Sequence, residues 1–595
     1  MTVDRLLDIA VTINPGFYLI AAAVWAVFAR GPGSRGVALL GGPALALLAL
    51  LYAPASGTEI TRSFFLGFNM SLYRPDSLSM IFGFGFVLAA ALSGVYSLHR
   101  EDRMQDSAGL LYAGAAMAAV FAGDLISLVV FWELTAVASV ALVFARQTKQ
   151  GQMAGMRYLL IQLLSGLLLM AGVVLYGLDA GSFLFADLGQ LHRGVLIGML
   201  DIHAPGGLLI LAGVGIKAAF PTFHNWLTDA YPNTTETGAV VMSAYTTTLA
   251  VYVLARCFAG LDWLVWIGAA MTVYPVFFAV MENDLRRVLA YSTNNQIGFM
   301  VCAVGIGTPL AIDGAAAHAV AHIVFKGLLF MAMGAVFMRT GTTKASELGG
   351  LHRTMPWTTL FCLIGAMSIS ALPLFAGFST KSMIMTAAHT PAMFAVWLML
   401  LFASAGVLEH SGIKIPYFAF FSHDSGKRPK EAPFTMLLAM GLASALCLAI
   451  GIAPGWFFEL LPYRSVAMAF LAQDLFTADH LLVQMQLLAF AVLAFVLLKR
   501  LKLYPTEQPG VILDIEWLWR KAAPAITGVL GRLAGRLGVW ADKAFGRAGA
   551  GLISGSGQIF APDGVVARHL PLAGAAIWTV ALLSFVLILA MSSPG

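Results

Sequence analysis

The sequence predicts an all-α polytopic membrane protein, and three observations carry that prediction. The 595 residues are 59% hydrophobic and only 11% charged, where a soluble domain averages about 45–50% apolar and about 25% charged residues. So little charge cannot solvate the surface of a globule this size. Apolar stretches of about 20 residues, the length that crosses a bilayer core, recur along most of the chain. Basic residues gather in alternate loops between them, as the positive-inside rule requires of a multi-pass protein. The same numbers exclude soluble enzymes, nucleic-acid binders and disordered chains as classes, and a net charge of +5 gives no sign of a nucleic-acid partner.

Taken in order, spans are expected at 10–29, 37–54, 77–98, 107–122, 124–145, 157–177, 206–228, 237–258, 261–280, 290–308, 313–338, 357–389, 393–421, 433–452, 481–499 and 570–591, about sixteen in all. Residues 107–145 are too long for one crossing and divide at Gly123-Asp124. The N-terminus carries Asp4, Arg5 and Asp8 in place of a positive n-region, so it reads as a first span rather than a cleaved signal peptide. Arg30 and Arg35 follow span 1, Arg100 and Arg103 span 3, and Arg146 and Lys149 span 5. Arg286 and Arg287 follow span 9, Arg339, Lys344 and Arg353 span 11, Lys427, Arg428 and Lys430 span 13, and Lys499, Arg500 and Lys502 span 15. Only the loop after span 7, with Asp229 and Glu236, breaks the alternation. The pattern predicts basic loops inside a bacterial-type plasma membrane and both termini outside.

Residues 503–569 interleave Arg, Lys and Trp with Leu, Val and Ile after Pro505 and Pro509. They read as an amphipathic segment in the membrane interface or as a tail packed on a partner, with a glycine-rich connector over 549–569. Cys257, Cys302, Cys362 and Cys447 are isolated and lie in or beside apolar runs. Without a CxxC pair, a Walker A loop, a dinucleotide fingerprint or an HExxH motif, no cofactor, metal or catalytic site is expected.

Ionisable groups inside spans are costly and mark pathways. Glu133 lies within span 5 and Lys217 within span 7, four residues before Pro221. His318, His322 and Lys326 fall at i, i+4 and i+8 of span 11, on one helix face. Lys381 follows Pro373 and Gly377 in span 12, and Glu409, His410 and Lys414 lie in span 13. The prolines predict broken helices at spans 7 and 12, each with a lysine close to its break. A buried lysine can load and release a proton as a neighbouring carboxylate shifts its balance, which arginine cannot do; Glu133 is the expected neighbour of Lys217.

These residues sit in motifs. KAAFPTFHNWLTDAYPNT, ENDLRRVLAYSTNNQIGFM, HAVAHIVFKGLLF and PLFAGFSTKSMI resemble the antiporter-like subunits of Mrp-type cation/proton antiporters and of respiratory complex I. The resemblance runs from about Asp76 to about Phe421, and SGIKIPYFAFF with the long C-terminus is most similar to the long D-type members of the Mrp group. It implies a fourteen-helix core with two inverted five-helix repeats. The expected division is therefore 1–106, 107–258 (first repeat), 259–421 (second repeat), 422–502, 503–569 and 570–595. It also implies a proton path through Glu133, Lys217, His318, His322, Lys326 and Lys381. His224, Asp229, Tyr245, Thr246, Thr247, Thr248, His410 and Lys414 are auxiliary positions. One departure stands out: many relatives carry a lysine where alignment on Tyr252 places Thr248, and a hydroxyl cannot hold a proton charge at neutral pH.

The expected function is a subunit that moves protons along this buried axis, most simply in a monovalent cation:proton (Na+/H+) antiporter with other membrane subunits as partners. Alternatives are a proton-pumping subunit of a redox complex or hydrogenase, and the proton channel of an inorganic carbon uptake system. The chain is not expected to be catalytic alone. An intramembrane transferase would need acidic external motifs and a soluble domain that the sequence lacks, and a scaffold would not need four buried charges.

Overall fold

Fifteen of the expected spans fall on helices in the computed structural model, which describes residues 12–54, 61–65, 68–185, 189–192, 195–198, 200–504 and part of 512–545. The expected sixteenth span (570–591) and the connector 549–569 lie outside the described residues. By contacts the chain forms two units, Met1–Ser63 with Asn69–Ile512, and Phe64–Phe68 with Leu513–Gly595.

The first unit begins with α1 (Gly16–Phe28), α2 (Pro32–Leu51), α3 (Ser77–Ser97), α4 (Arg103–Val120), α5 (Leu125–Phe144) and α6 (Lys149–Ala180). Then come α7a (Gly207–Lys217), α7b (Asn225–Ala230), α8a (Glu236–Met242), α8b (Thr246–Cys257), α9 (Asp262–Met281), α10 (Leu285–Ile306) and α11 (Pro309–Thr340). α12a (Pro356–Ile369), α12b (Ala376–Ala388), α13 (Pro391–Phe421), α14 (Phe434–Ile452) and α15 (Ala478–Arg500) complete it. Ten of the described helices are long and apolar enough to cross a membrane. α10 is not among them because Ser292-Thr293-Asn294-Asn295-Gln296 interrupts its apolar run, although all five side chains are buried. An antiparallel hairpin pairs Gly189–His192 with Val195–Gly198. The second unit contributes α16 (Ala523–Phe545), on which Ile526, Leu530 and Leu533 are exposed.

Local chemistry sets the helix ends. Asp76 and Ser79 form a reciprocal capping box at α3, and Asp102, Asp124, Thr148, Asp284 and Thr308 each accept a backbone N–H from the first turn of the helix that follows. Such caps satisfy donors that hydrocarbon cannot. Several recur at a constant offset. Asp124 bridges Leu184 as Asp284 bridges Lys344. The helices α6 and α11 are both 32 residues long, opened by Thr148 and Thr308 and closed by left-handed Gly181 and Gly341. In that offset Gly166 of α6 corresponds to Lys326 of α11, and Gln162 to His322.

Spans 7 and 12 break in the same way. After α7a the Phe220 N–H reaches the Gly215 carbonyl at 2.9 Å and the Ala219 N–H the Ile216 carbonyl at 3.1 Å. After α12a the Leu372 N–H reaches Met367 and the Ala371 N–H reaches Ser368, both at 3.1 Å. This is a Schellman closure, with an alanine at the left-handed position usually held by glycine: φ is 61° at Ala219 and 57° at Ala371. Pro221 and Pro373 then forbid continuation, and a second positive φ follows at Thr222 and Leu374. Span 8, expected as one helix, is also interrupted, at Ser243–Tyr245.

Buried charge as well as apolar packing holds the helices together. Asp76 accepts from Arg256 Nη1 at 2.6 Å and Nη2 at 2.8 Å and from Arg74 Nη2 at 2.8 Å, tying α3 to the end of α8b. Removing one member of such a buried set leaves uncompensated charge, at about 3–5 kcal/mol. Asp76→Ala is therefore expected to lower the thermal unfolding midpoint of the detergent-solubilised protein markedly, with Asp76→Asn intermediate. An unchanged midpoint for Asp76→Ala refutes a structural role for the triad.

Candidate functional site

The site is built from the two breaks outward. Lys217 is the last residue of α7a and fully buried. Its Nζ donates to the Trp132 carbonyl at 2.6 Å and to Thr135 Oγ1 at 3.0 Å, and lies 4.3 Å from the Trp132 ring centroid. The negative end of the α7a dipole favours a cation there. Glu133 follows Trp132 on α5 and turns toward α6. A β-carbon at Gly166 would overlap its Oε1, so that glycine makes room for the carboxylate. Glu133 Oε1 has no hydrogen-bond partner. Glu133 and Lys217 act on each other electrostatically, but no ion pair within 4.0 Å joins them. Trp132 Nε1 donates to Ser165 Oγ at 3.2 Å, and Ser165 donates to the Gly213 carbonyl at 2.6 Å, locking α5, α6 and α7a together.

Beyond Lys217 stands α8b, which packs on α7a, α10 and α11. Thr247 and Thr248 are buried and their hydroxyls lack partners, whereas Thr246 is hydrogen-bonded to the Tyr112 hydroxyl. Tyr245 donates to the Phe86 carbonyl at 3.4 Å.

On α11, His318, His322 and Lys326 are all fully buried. Lys326 Nζ donates to Ser292 Oγ at 2.8 Å and to the Leu289 carbonyl at 3.3 Å. Neither ring nitrogen of His322 has a partner. His318 contacts Gln296 Oε1 at 3.1 Å on one side and Thr380 Oγ1 at 2.9 Å on the other, linking α10 to α12b. Next to Thr380, Lys381 reaches back across the break to the Ile369 carbonyl at 3.1 Å and lies 5.0 Å from the Phe299 ring. Lys381 also lines a cavity of about 380 Å³ with Ser382, His480 and Gln484, among others.

The auxiliary positions divide. Asp229 is held by Arg157 at 2.7 and 3.0 Å, which fixes α7b on α6, and the His224 ring lies tilted against Tyr274, centroids 4.9 Å apart. Lys414 Nζ donates to the Val280 and Glu282 carbonyls, each at 2.6 Å, and to Ala279 at 3.3 Å, closing the C-terminus of α9. His410 lies 2.8 Å from Ser411 Oγ in a π-helical turn of α13. Sequence reasoning did not single out Gln296 and Thr380, which bond His318, Ser292, which bonds Lys326, or Ser411, which joins Ser292 to His410. The signal was the unbroken polar run of α10. Cys257, Cys302, Cys362 and Cys447 are buried free thiols.

With this geometry in view, residues 122–408 match the family described as "NADH:quinone oxidoreductase/Mrp antiporter, TM". An uncharacterised protein of Mycobacterium tuberculosis (strain ATCC 25618 / H37Rv) is 30% identical over 462 residues, covering 71% of this chain and 69% of its own length. Hydrogenase-4 component B of Escherichia coli (strain K12) is 28% identical, covering 64% of this chain and 62% of its own. The Na(+)/H(+) antiporter A-subunit of Alkalihalophilus pseudofirmus (strain ATCC BAA-2126 / JCM 17055 / OF4) is 29% identical, covering 65% of this chain and 53% of its own. This chain thus spans less than two thirds of the last two. In fold it is similar to a chain of the Mrp complex from Dietzia sp. DQ12-45-1b, with a TM-score of 0.67, 21% identity, and coverage of 80% of this chain and 99% of that one.

The contact between Glu133 and Gly166 is open to a double-mutant cycle. Gly166→Ala should destabilise the native protein because the added carbon displaces Glu133. In a Glu133→Ala background the same change should be nearly neutral. The expected coupling is about 1–3 kcal/mol, read from unfolding midpoints; simple additivity refutes the contact.

Proposed function

This chain belongs to the NADH:quinone oxidoreductase/Mrp antiporter transmembrane family, and from that membership we propose that it conducts protons along a buried axis as an antiporter-like subunit of a larger membrane assembly. The observation that carries the reading is the set Lys217, His318, His322, Lys326 and Lys381, all buried, with two of the lysines at matched helix breaks. Charges so placed are expensive in hydrocarbon, and packing alone offers no reason to retain them. Glu133 sets the balance at Lys217. His318, His322 and Thr380 stand between Lys326 and Lys381, with water completing the links that no direct hydrogen bond makes, and the cavity at Lys381 is one mouth of the path. Between Lys217 and Lys326, the unpartnered hydroxyls of Thr247 and Thr248 support water rather than holding charge.

We assign the coupled process to monovalent cation:proton exchange, with the chain in the place of a D-type Mrp member. This rests on the family's Mrp members and on the motif Ser411–Phe421. The likeness to hydrogenase-4 component B supports a second setting, a proton-pumping subunit of a redox assembly, in which the same axis works without a counter-cation. The recurring caps and breaks support two copies of one five-helix unit, over 107–258 and 259–421. The basic loops support an arrangement with both termini outside a bacterial plasma membrane. α16, with Arg532 and Arg536 along one flank of its exposed apolar residues and Lys521 just before it, is assigned to the membrane interface.

The test is proton flux from proteoliposomes holding the protein with its co-purifying membrane subunits. Lys217→Ala and Lys326→Ala are each expected to cut flux by about 100-fold, the scale of a lost proton-transfer group, at normal protein yield. Thr248→Lys should change the flux or its coupling, whereas a lysine at a lipid-facing threonine should affect insertion alone. Unchanged flux in both alanine variants overturns the axis. Flux that demands Na+ or K+ on the opposite side favours antiport, and flux that ignores both favours the redox setting.

A further inference from the structure

A second hydrogen-bonded line leaves Lys326, and it does not follow the axis. Ser292 on α10, which accepts from Lys326 Nζ, also accepts from Ser411 Oγ of α13 at 2.8 Å. Ser411 in turn lies 2.8 Å from His410 Nδ1. All four side chains are buried, and His410 Nε2 is a buried atom without a partner. The segment that carries His410 and Ser411 is a π-helical turn, Leu408–Ile413. Such turns interrupt the regular ladder and often mark functional positions. The line points toward one end of the molecule. One turn beyond His410, Lys414 closes the α9 terminus beside Glu282, and α13 then runs into the loop of Lys427, Arg428 and Lys430.

We propose that His410, Ser411 and Ser292 form a proton branch connecting Lys326 with the side of the membrane that carries the basic loops. Lys414 is the helix-capping neighbour of the branch rather than a carrier. The inference rests on the axial reading above and adds to it the point at which the second half of the path is loaded. Since Ser411 donates to Ser292, His410 must donate through Nδ1–H to Ser411 Oγ, leaving the buried, unpartnered Nε2 as the acceptor. With Lys326 neutral, a proton binds His410 Nε2 and the Nδ1 proton passes to Ser411 Oγ. The Ser411 hydroxyl proton passes to Ser292 Oγ, and the Ser292 proton passes to the Lys326 Nζ lone pair. Each hydroxyl ends with one proton, the imidazole is neutral again and Lys326 is charged. In the final state Lys326 donates to Ser292, as observed, while Ser292 donates to Ser411 and Ser411 to His410 Nδ1, so both hydroxyls and the imidazole tautomer return to their starting orientation before the next proton enters. Histidine suits the outer position because both of its nitrogens exchange protons near neutral pH, and the serines suit the middle because a hydroxyl donates and accepts at once.

The closing experiment uses the same proteoliposomes. Ser411→Ala and His410→Gln are expected to lower flux by about tenfold, the rate effect of one lost hydrogen-bond link, with unfolding midpoints close to that of the parent. Ser411→Thr restores the hydroxyl and should restore most of the flux, which a packing defect would not allow. Ser422→Ala, at the end of the same helix, serves as the control with unchanged flux. If Lys326→Ala abolishes flux while Ser411→Ala and His410→Gln leave it intact, the branch is wrong and the axis stands. If Lys326→Ala itself leaves flux unchanged, the axial reading fails first. If Ser411→Thr is as slow as Ser411→Ala, the hydroxyl is not a carrier and the branch is overturned.

Discussion

Every feature of the polar interior follows from one constraint: a helix broken inside hydrocarbon strands its carbonyls, and each must find a donor within the protein. Both breaks close part of the deficit by the same Schellman turn, and side chains close the rest. Trp226 Nε1 takes the Ile216 carbonyl at 2.9 Å, Lys381 takes Ile369, and Gln484 Nε2 from α15 takes Ala371 at 2.9 Å. The left-handed alanines cost about 1–2 kcal/mol each relative to a relaxed backbone, so the breaks persist only because these partners hold them. Lysine at such a place is held by neutral partners, Lys217 by a carbonyl, the Thr135 hydroxyl and the Trp132 ring and Lys381 by a carbonyl and the Phe299 ring. It needs no permanent counter-ion, which is what a carrier that alternates between charged and neutral forms requires.

Corresponding helices have been furnished with different charges. Where α6 has Gly166, α11 has Lys326; where α6 has Gln162, α11 has His322; and ten residues past the left-handed alanine, α7b has Asp229 where α12b has Lys381. In the first half the carboxylate of Glu133 on α5 fills the space that Gly166 leaves open, and the cation comes from α7a. In the second half α11 supplies the cation itself and α10 supplies only neutral hydroxyls and amides. The first half can therefore keep an opposite charge beside its lysine, while the second half holds two lysines, Lys326 bonded to Ser292 and Lys381 to the Ile369 carbonyl, with the His318–Gln296–Thr380 set as a separate hydrogen-bonded group. Loading Lys326 disfavours a charge on Lys381, and unloading it does the reverse. That repulsion gives the second half a direction once it is loaded from one side.

Much of this was legible in the sequence. The spans, the two proline breaks, the i, i+4, i+8 stripe on α11 and the intramembrane lysines follow from periodicity and from the rarity of charge in apolar runs. What was not legible is instructive in physical terms. The break in α8 has no proline or glycine at the joint; Ser243–Tyr245 is interrupted where the Tyr231 hydroxyl takes the Met242 carbonyl at 2.8 Å, a tertiary contact that no local signal announces. Lys414 read as an auxiliary position because an ammonium in a span is costly, and the structure shows that cost met by three carbonyls at the end of another helix. Ser292 and Ser411 were invisible for the opposite reason: a serine is cheap anywhere, and only proximity makes two of them a link.

The join between the two proposed halves is where the sequence departs from the pattern it otherwise resembles, with Thr248 buried and its hydroxyl unpartnered. With a lysine at position 248, three cations would stand in succession, and charge could be handed on by repulsion. With Thr248, α8b offers a buried hydroxyl that orients water but carries no charge. Electrostatic communication between Lys217 and Lys326 must then act across the full width of α8b. A field that falls with distance and is screened by any water admitted couples the halves more weakly than an intervening ammonium would. The proposed branch through His410 answers this weakness, because on that proposal the second half draws protons from the basic-loop side without waiting for the first. The same substitution that loosens the axial connection makes an independent supply to Lys326 useful, and the two features are best understood together.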